Sequence, residues 1–89
     1  MKAVVTVVGK DMVGILAAVS DVCSKNNINI LEVSQSILQE MFCMIMLVDL
    51  EKASAKFADF ADELTNLGKE RGLQIHAMHE DIFNTMHHV

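Results

Sequence analysis

The order in which strand-like and helix-like apolar patterns alternate is the feature that most limits how this chain can fold. Residues 3–8 (AVVTVV) are rich in β-branched side chains and stop at Gly9, which predicts a buried strand ending in a turn. The next apolar residues recur at helical spacing: Ile15, Leu16, Val19, Val22 and Cys23. Such a stripe predicts an amphipathic helix. Asp11 is a suitable N-cap for it, and Asn26 and Asn27 suit a left-handed C-terminal exit.

The second half of the chain repeats this alternation. Two extended runs, residues 28–38 and 41–50, are separated by Gln39 and Glu40, which predicts a β-hairpin although a tight turn prefers Asn-Gly. A second helical stripe follows, made of Phe57, Phe60, Ala61, Leu64, Leu67 and Gly68. Gly72 is a natural stop for that helix, and residues 73–79 alternate as a half-buried strand does.

The resulting order, strand, helix, strand, strand, helix, strand, predicts an α+β, ferredoxin-like βαββαβ fold. We expect one domain over residues 1–89, with a core over 2–80, a four-stranded antiparallel sheet and two helices on one face. The tail, residues 81–89, carries Ile82, Phe83 and Met86 at helical spacing and predicts a short helix.

Helices on one side leave the other face of the sheet open, and the third predicted strand is apolar on both faces. Phe42, Met44, Met46 and Val48 alternate with Cys43, Ile45 and Leu47. An apolar open face needs a cover, which a second copy of the chain or its tail could provide.

Charge and composition exclude several classes of partner. The formal net charge is −5, with seven basic residues against twelve acidic ones, which argues against nucleic-acid binding. No apolar run approaches the roughly 20 residues that span a bilayer, and the first apolar stretch lacks a cleavage site, so we expect a cytoplasmic protein without a membrane partner. Cys23 and Cys43 are then expected to be reduced rather than disulfide-bonded.

The pair Gly9 and Gly14 superficially resembles a phosphate-binding loop. Ile15 and Leu16 stand where such a loop needs a lysine and a hydroxyl, so nucleotide hydrolysis is rejected. A glycine-containing turn that opens a helix still suits a carboxylate, because free N–H groups and a partial positive charge converge there. The simpler interpretation is that Gly14 relieves crowding against the sheet and Asp11 only caps the helix.

The sequence gives no metal, cofactor or catalytic assignment. His76 and His79 fall on opposite faces of a predicted strand, His87 and His88 are adjacent near the C-terminus, and the two cysteines are too far apart for ligand spacing. The serines lack the Gly-x-Ser-x-Gly context of a nucleophile. We therefore expect a protein that is not an enzyme.

The stretch DMVGILAAVSDVCSKNNINILEVSQ resembles the opening of ACT domains, small ligand-sensing modules of amino-acid metabolism. The family's D-x-x-G-[ILV] turn is matched by Asp11, Gly14 and Ile15, and its G-[ILV]-N-I element by residues 27–30. The whole chain is similar to stand-alone single-ACT-domain proteins of bacteria and archaea, related to the ACT domains of glycine-cleavage regulators. Met12-Val13 replaces the Arg-Pro of many members, and Gly9 stands where some serine-binding members carry a polar side chain.

The resemblance implies a homodimer that binds an amino acid between its subunits and regulates a separate enzyme or regulator. The ligand-binding residues it implies are Asp11, Met12, Val13, Gly14 and Ile15 from one side, with Asn29 and Ile30 from the other. In this hypothesis backbone N–H groups bind the carboxylate, Asp11 binds the ammonium and Asn29 hydrogen-bonds either group. The alternative is a dimeric interaction subunit without ligand, which recruits a protein through a methionine-rich sheet face and the C-terminal tail.

Overall fold

The sheet and helices follow in the predicted order. In the computed structural model, which describes residues 1–10 and 13–86, the chain forms β1 (Lys2–Gly9), α1 (Ile15–Lys25), β2 (Asn29–Leu38), β3 (Met41–Asp49), α2 (Phe57–Arg71), β4 (Gln74–His79) and α3 (Glu80–Met86). The ferredoxin-like βαββαβ fold and the additional C-terminal helix are therefore confirmed.

The four strands lie in the order β2-β3-β1-β4, and each neighbouring pair is antiparallel. β2 and β4 are thus the two edges of the sheet. A β-bulge between Ile30 and Glu32 leaves Leu31 without a cross-strand partner. Because cross-strand partners share a face, the register also divides the side chains into a helix-covered face and an opposite face.

The core lies between the sheet and the pair α1 and α2. Its strand residues are Ala3, Val5 and Val7 of β1, Phe42, Met44, Met46 and Val48 of β3, and Ile75 of β4. Ile15, Val19, Phe60 and Leu64 supply the helical side of the same cluster. The proposal of a methionine-rich binding face is wrong for β3, since Met44 and Met46 are 1% and 0% exposed beneath the helices.

The third helix lies on the opposite face of the sheet. It contacts β1 and β4, and Val4 of β1 is only 4% exposed although it points away from the core. Phe83 is half-buried, whereas Ile82 is 56% exposed. The tail therefore covers the β1–β4 half of the open face and leaves Ile45 of β3 exposed.

The β2–β3 hairpin closes on the predicted pair of residues. Gln39 and Glu40 have φ angles of 52° and 69°, both in the left-handed region. This is the conformation of a two-residue type I′ turn, for which Asn-Gly is the usual sequence. The position of the hairpin is therefore determined by the apolar pairing of β2 with β3. Gln39 and Glu40 adopt an unfavourable backbone conformation as a result.

The helix ends agree with prediction where the structure describes them, except at Asn26. The N-cap position of α1 is Gly14, with a φ of 74°. Asp11 and Met12 lie outside the described residues, so the capping role predicted for Asp11 stays a prediction. At the C-terminal ends, Asn27 has a φ of 56° after α1 and Gly72 has a φ of 69° after α2, as predicted, whereas Asn26 has a φ of −99° and is not left-handed.

Both cysteines are free thiols, as predicted, with Cys23 buried and Cys43 half-buried. Among the described residues, no helix has the length and apolar character needed to cross a membrane.

At Gly68, the last turns of α2 pack closely against the backbone that leads into β4. A Cβ atom at this position would lie 2.7 Å from the backbone oxygen of Leu73. Gly68→Ala should therefore lower the free energy of unfolding, by about 1–3 kcal/mol, because the neighbouring backbone must move. Urea denaturation at one fixed protein concentration measures the change.

Asn66→Ala is the matched control, since Asn66 is an exposed residue of the same helix. It should change stability by no more than about 0.5 kcal/mol. Equal effects of the two substitutions would contradict the packing assigned to Gly68.

Candidate functional site

The turn between β1 and α1 is the first half of the predicted site. Val13 is 78% exposed and Gly14 is exposed, whereas Ile15 is only 1% exposed and belongs to the core. No side-chain hydrogen bond caps the N-terminus of α1 among the described residues. Ile15 thus anchors the turn by packing, and among the described residues of the turn Val13 and Gly14 are accessible.

An arginine from another element lies beside this turn. Arg71 is the last residue of α2, and its Nη1 atom is 3.6 Å from the position that a Cβ atom on Gly14 would occupy. The left-handed φ of Gly14 already favours glycine, and the missing side chain also leaves this space beside the guanidinium open. The first turn therefore carries a positive charge that the sequence analysis did not assign to it.

Asn29 and Ile30, the second half of the predicted site, lie in a groove at the start of β2. The groove has a volume of about 740 Å³. Its lining residues are Ser20, Cys23, Ser24, Asn27, Ile28, Asn29, Ile30, Asp49, Glu51 and Lys52. One wall is the C-terminal half of α1, and the other is the end of β3 with the loop that follows.

A single chain does not bring the two halves together. Asn29 pairs with Asp49, which pairs with Lys2 at the start of β1, whereas the first turn follows Gly9 at the other end of that strand. β1 has eight residues, so its ends are about 23 Å apart. A site built from both halves requires two chains.

Backbone and amide hydrogen bonds fix the walls of the groove. Asn27 donates its Nδ2–H to the Lys52 carbonyl at 2.8 Å, and the Ser54 amide donates to the Asn26 carbonyl at 2.9 Å. Asp49 Oδ1 accepts a hydrogen bond of 2.9 Å from the Glu51 amide. The loop after β3 is thereby tied to the exit of α1.

A small polar network joins α1 to α2 near the same corner. Asn26 Nδ2 contacts the Val22 carbonyl at 2.9 Å and Glu63 Oε1 at 3.0 Å, and Lys25 forms an ion pair with Glu63. Hydrogen bonds from Lys25 and then Asn26 hold the pKa of Glu63 below its ordinary value. The Glu63 hydrogen bond and charge conversely raise the pKa of Lys25.

The groove combines polar walls with an apolar floor. Asp49 and Glu51 supply carboxylates, and Lys52 supplies one cation. Burial raises the pKa of the Cys23 thiol to about 11, so it is a poor nucleophile at neutral pH. Within the described ranges, no three His, Cys, Asp or Glu side chains cluster as metal ligands. The groove therefore offers hydrogen-bonding groups and charges of both signs.

Sequence reasoning named Asn29 and Ile30 but missed Arg71 and most of the groove. The position of Arg71 could have been predicted from the sequence, because Gly72 marks the end of α2 and β4 then runs antiparallel to β1. Val8 pairs with Gln74, so the end of α2 must lie at the same end of the sheet as the first turn. The groove could not be found this way, since it depends on how α1 packs against the loop after β3.

This architecture is that of a small βαββαβ module with a polar groove at one end of its sheet and an arginine beside the turn at the other end. The model of the ACT domain family matches residues 2–78 of the chain. The chain therefore belongs to the ACT domain family.

Similarity extends over the full length of the chain. The UPF0237 protein of Methanocaldococcus jannaschii is 47% identical over 88 residues, which is 99% of this chain and 98% of the relative. The solved structure of an ACT domain protein from Streptococcus pneumoniae superposes with a TM-score of 0.82 at 35% identity, covering 93% of each chain.

A more distant structure shares the fold. The regulatory subunit of aspartate kinase from Thermus thermophilus gives a TM-score of 0.63 at 18% identity. The match covers 85% of this chain and 49% of that subunit.

The Glu63 network predicts a pH dependence of stability. A pKa lowered in the folded state contributes stability above the ordinary value of 4.5, and this is lost as the pH falls through the lowered pKa. We expect Glu63→Gln to reduce the loss of stability between about pH 5 and pH 3, by less than about 1 kcal/mol because the pair is partly exposed. Thermal unfolding across that pH range measures it.

Glu70→Gln removes an exposed carboxylate from the same helix and serves as the control. Its pH profile should follow that of the wild-type protein. A Glu63→Gln profile that also follows the wild type would contradict the role given to this network.

Proposed function

We propose that this chain is a non-enzymatic regulatory module of the cytoplasm, which binds an amino acid as a homodimer and controls a separate protein of amino-acid metabolism. The observation that carries the proposal is the placement of the two half-sites at opposite ends of the sheet. Family membership adds support, and so does the fold shared with a protein named as the regulatory subunit of aspartate kinase.

The β2 edge is the surface through which two chains would join. Every residue of β2 except Ile30 is exposed, and the strand contains neither proline nor lysine, which commonly protect such edges. The backbone groups of a strand this long can pair with a second copy. A six-residue edge such as β4 offers a shorter ladder.

Apolar side chains beside this edge favour the same pairing. Val33 and Ile37 share a face with the buried Met46 and Phe42, yet they are 40% and 64% exposed because the helices do not reach them. Leu16 of α1 is also exposed. A second copy on this edge would bury these side chains and supply the missing cover.

Antiparallel pairing of the two β2 strands would bring the half-sites together. The start of β2 in one subunit then lies beside the end of β2 in the other. Ile37 near that end pairs with Phe42, which pairs with Gly9 just before the first turn. The first turn of each subunit would consequently approach the groove of its partner.

The charges of the two halves suit an amino acid. The first turn offers the N-terminus of α1 and the Arg71 guanidinium, both of which favour a carboxylate. The groove offers the carboxylates of Asp49 and Glu51 for an ammonium group, and the amide of Asn29 for either. A ligand held between two chains stabilises the dimer, and this linkage can carry a signal to a separate protein.

Dimerisation through β2 is tested by placing a charge on the edge. Ile37→Lys should give a folded monomer, because a buried lysine without a partner opposes association. Ile82→Lys is the control, since Ile82 has a similar exposed fraction but lies on α3, and it should remain dimeric. Sedimentation equilibrium at micromolar concentration distinguishes the two.

A wild-type protein that sediments as a monomer would contradict the proposed assembly. An Ile37→Lys variant that still sediments with the molecular mass of a dimer would contradict it as well.

Ligand binding is tested by calorimetric titration with each of the twenty amino acids. At least one should bind, and Asn29→Ala should weaken it by about tenfold, which corresponds to about 1.4 kcal/mol for a lost hydrogen bond to a charged group. Asn66→Ala on α2 is the control and should bind normally. Ile37→Lys should lose binding while it remains folded, because the site needs both chains.

Absence of heat with all twenty amino acids, using protein shown to be dimeric, would rule out the ligand-binding part. The same protein would then fit the alternative of an interaction subunit that works without ligand.

A further inference from the structure

Part of the open sheet face extends beyond α3 without cover. Val4, Leu47 and Phe83 line one small cleft of about 230 Å³, so α3 lies over the row of cross-strand partners that contains Val4 and Leu47. The two rows nearer the hairpin lie on the same face, because side chains alternate along a strand. These uncovered rows consist of Ser34, Ile45 and Thr6, and of Ser36, Cys43 and Val8. Ile45 and Val8 are 42% and 37% exposed.

The uncovered rows carry no charged side chain. Gln74 and His76, the β4 partners of Val8 and Thr6, add neither a carboxylate nor a permanent cation. This is a selective absence, since charged residues make up 21% of the chain. A surface of this kind has no charge with which to attract a charged partner. It suits a partner surface that is equally uncharged and apolar.

The shape of the face indicates a second copy of the same chain as that partner. A helix stands about 10 Å above the sheet on which it packs, so α3 forms a ridge and the uncovered rows form a hollow beside it. From Met41 to Ile45 the hollow is about 14 Å long, and the four strands make it about 19 Å wide. The seven residues of α3 form a helix about 10 Å long and about 10–12 Å in diameter. The hollow of one copy therefore has the dimensions to hold α3 of another.

We propose that two copies of the chain associate through this face with their strands in opposite directions, so that α3 of each lies in the hollow of the other. A two-fold axis that reverses the strands gives both copies the same contact, as a closed interface requires. Ile82 of α3, which is 56% exposed, then packs against Ile45 and Val8 of the second copy. Two chains of net charge −5 repel each other, and an uncharged contact surface adds no local repulsion. This contact is separate from the β2 edge and does not rest on the proposed function.

The area of the contact sets its expected strength. Each copy would bury its hollow and the outer side of its α3, which gives about 1,100 Å² over both chains. This area is near the lower limit for a specific interface. We therefore expect association at roughly 100 µM to 1 mM, and not at the micromolar concentrations at which the β2 edge is tested.

The Ile37→Lys variant isolates this contact, because the charge blocks the β2 edge. Sedimentation equilibrium from about 5 µM to about 1 mM should show Ile37→Lys changing from monomer to dimer. Over the same range, the wild-type protein should change from dimer to tetramer, since the two contacts use different surfaces.

Two further substitutions place a charge in the contact from opposite sides. Ile45→Lys in the hollow and Ile82→Lys on α3, each combined with Ile37→Lys, should weaken association by at least about tenfold, because the contact removes an unpaired lysine from water. Asn66→Lys adds the same charge to an exposed position of α2 and should associate as Ile37→Lys alone does. A dispersed amide spectrum at low concentration shows that each variant is folded.

The position of α3 is tested in a mixture of two differently labelled Ile37→Lys chains. At about 1 mM, we expect intermolecular NOEs between the methyl groups of Ile82 in one copy and those of Ile45 or Val8 in the other. These NOEs should disappear on dilution to about 5 µM.

An Ile37→Lys protein that stays monomeric at about 1 mM would overturn the proposal and leave the β2 dimer and its ligand standing. Association that Ile45→Lys and Ile82→Lys do not weaken would overturn it too, as would a dimer without the intermolecular NOEs. A wild-type protein that is monomeric at micromolar concentration but dimerises near about 1 mM with these NOEs would support the contact and contradict the proposed β2 dimer.

Discussion

The incomplete cover of the sheet by its two helices is the constraint on which the other features depend. α1 and α2 bury the inner residues of β1, β3 and β4, but the outer half of β2 has no helix above it. Apolar side chains such as Val33 and Ile37 consequently lie against solvent beside an unpaired row of backbone groups. A 52% apolar chain of 89 residues thus leaves its exposed apolar surface where another strand can reach it.

The recognition features follow from the same geometry. The first turn and one wall of the groove lie at the two ends of α1, because the connection from β1 to β2 crosses the sheet from one end to the other. The Arg71 guanidinium lies at the end with the first turn, and two carboxylates and the Lys52 ammonium group line the groove at the other end. In the proposed antiparallel dimer, the first turn of one chain and the groove of the other would face a common space.

Much of this fold could be read from the sequence because its periodicities are clear. The exit at Asn27 and the stop at Gly72 were predicted from local chemistry and are confirmed, and the Gln39–Glu40 hairpin was predicted from the two extended runs on either side of it and is also confirmed.

What could not be read depended on tertiary packing. Met44 and Met46 looked like a binding surface because a strand that is apolar on both faces does not reveal which face the helices cover. The position of Arg71 beside the first turn was missed because it follows only when the antiparallel pairing of β1 with β4 is combined with the end of α2.

The hairpin turn lowers the local stability of β2 relative to the rest of the sheet. Gln39 and Glu40 occupy a backbone conformation that costs roughly 1 kcal/mol or more per residue, and β2 gains little from the helices to offset it. Amide hydrogens of β2 should therefore exchange with solvent through local opening well below the global unfolding free energy, whereas those of β1 should not. A second chain paired with this edge would therefore stabilise the part of the protein that opens most easily. Slower exchange of the β2 amides at higher protein concentration would reveal this pairing.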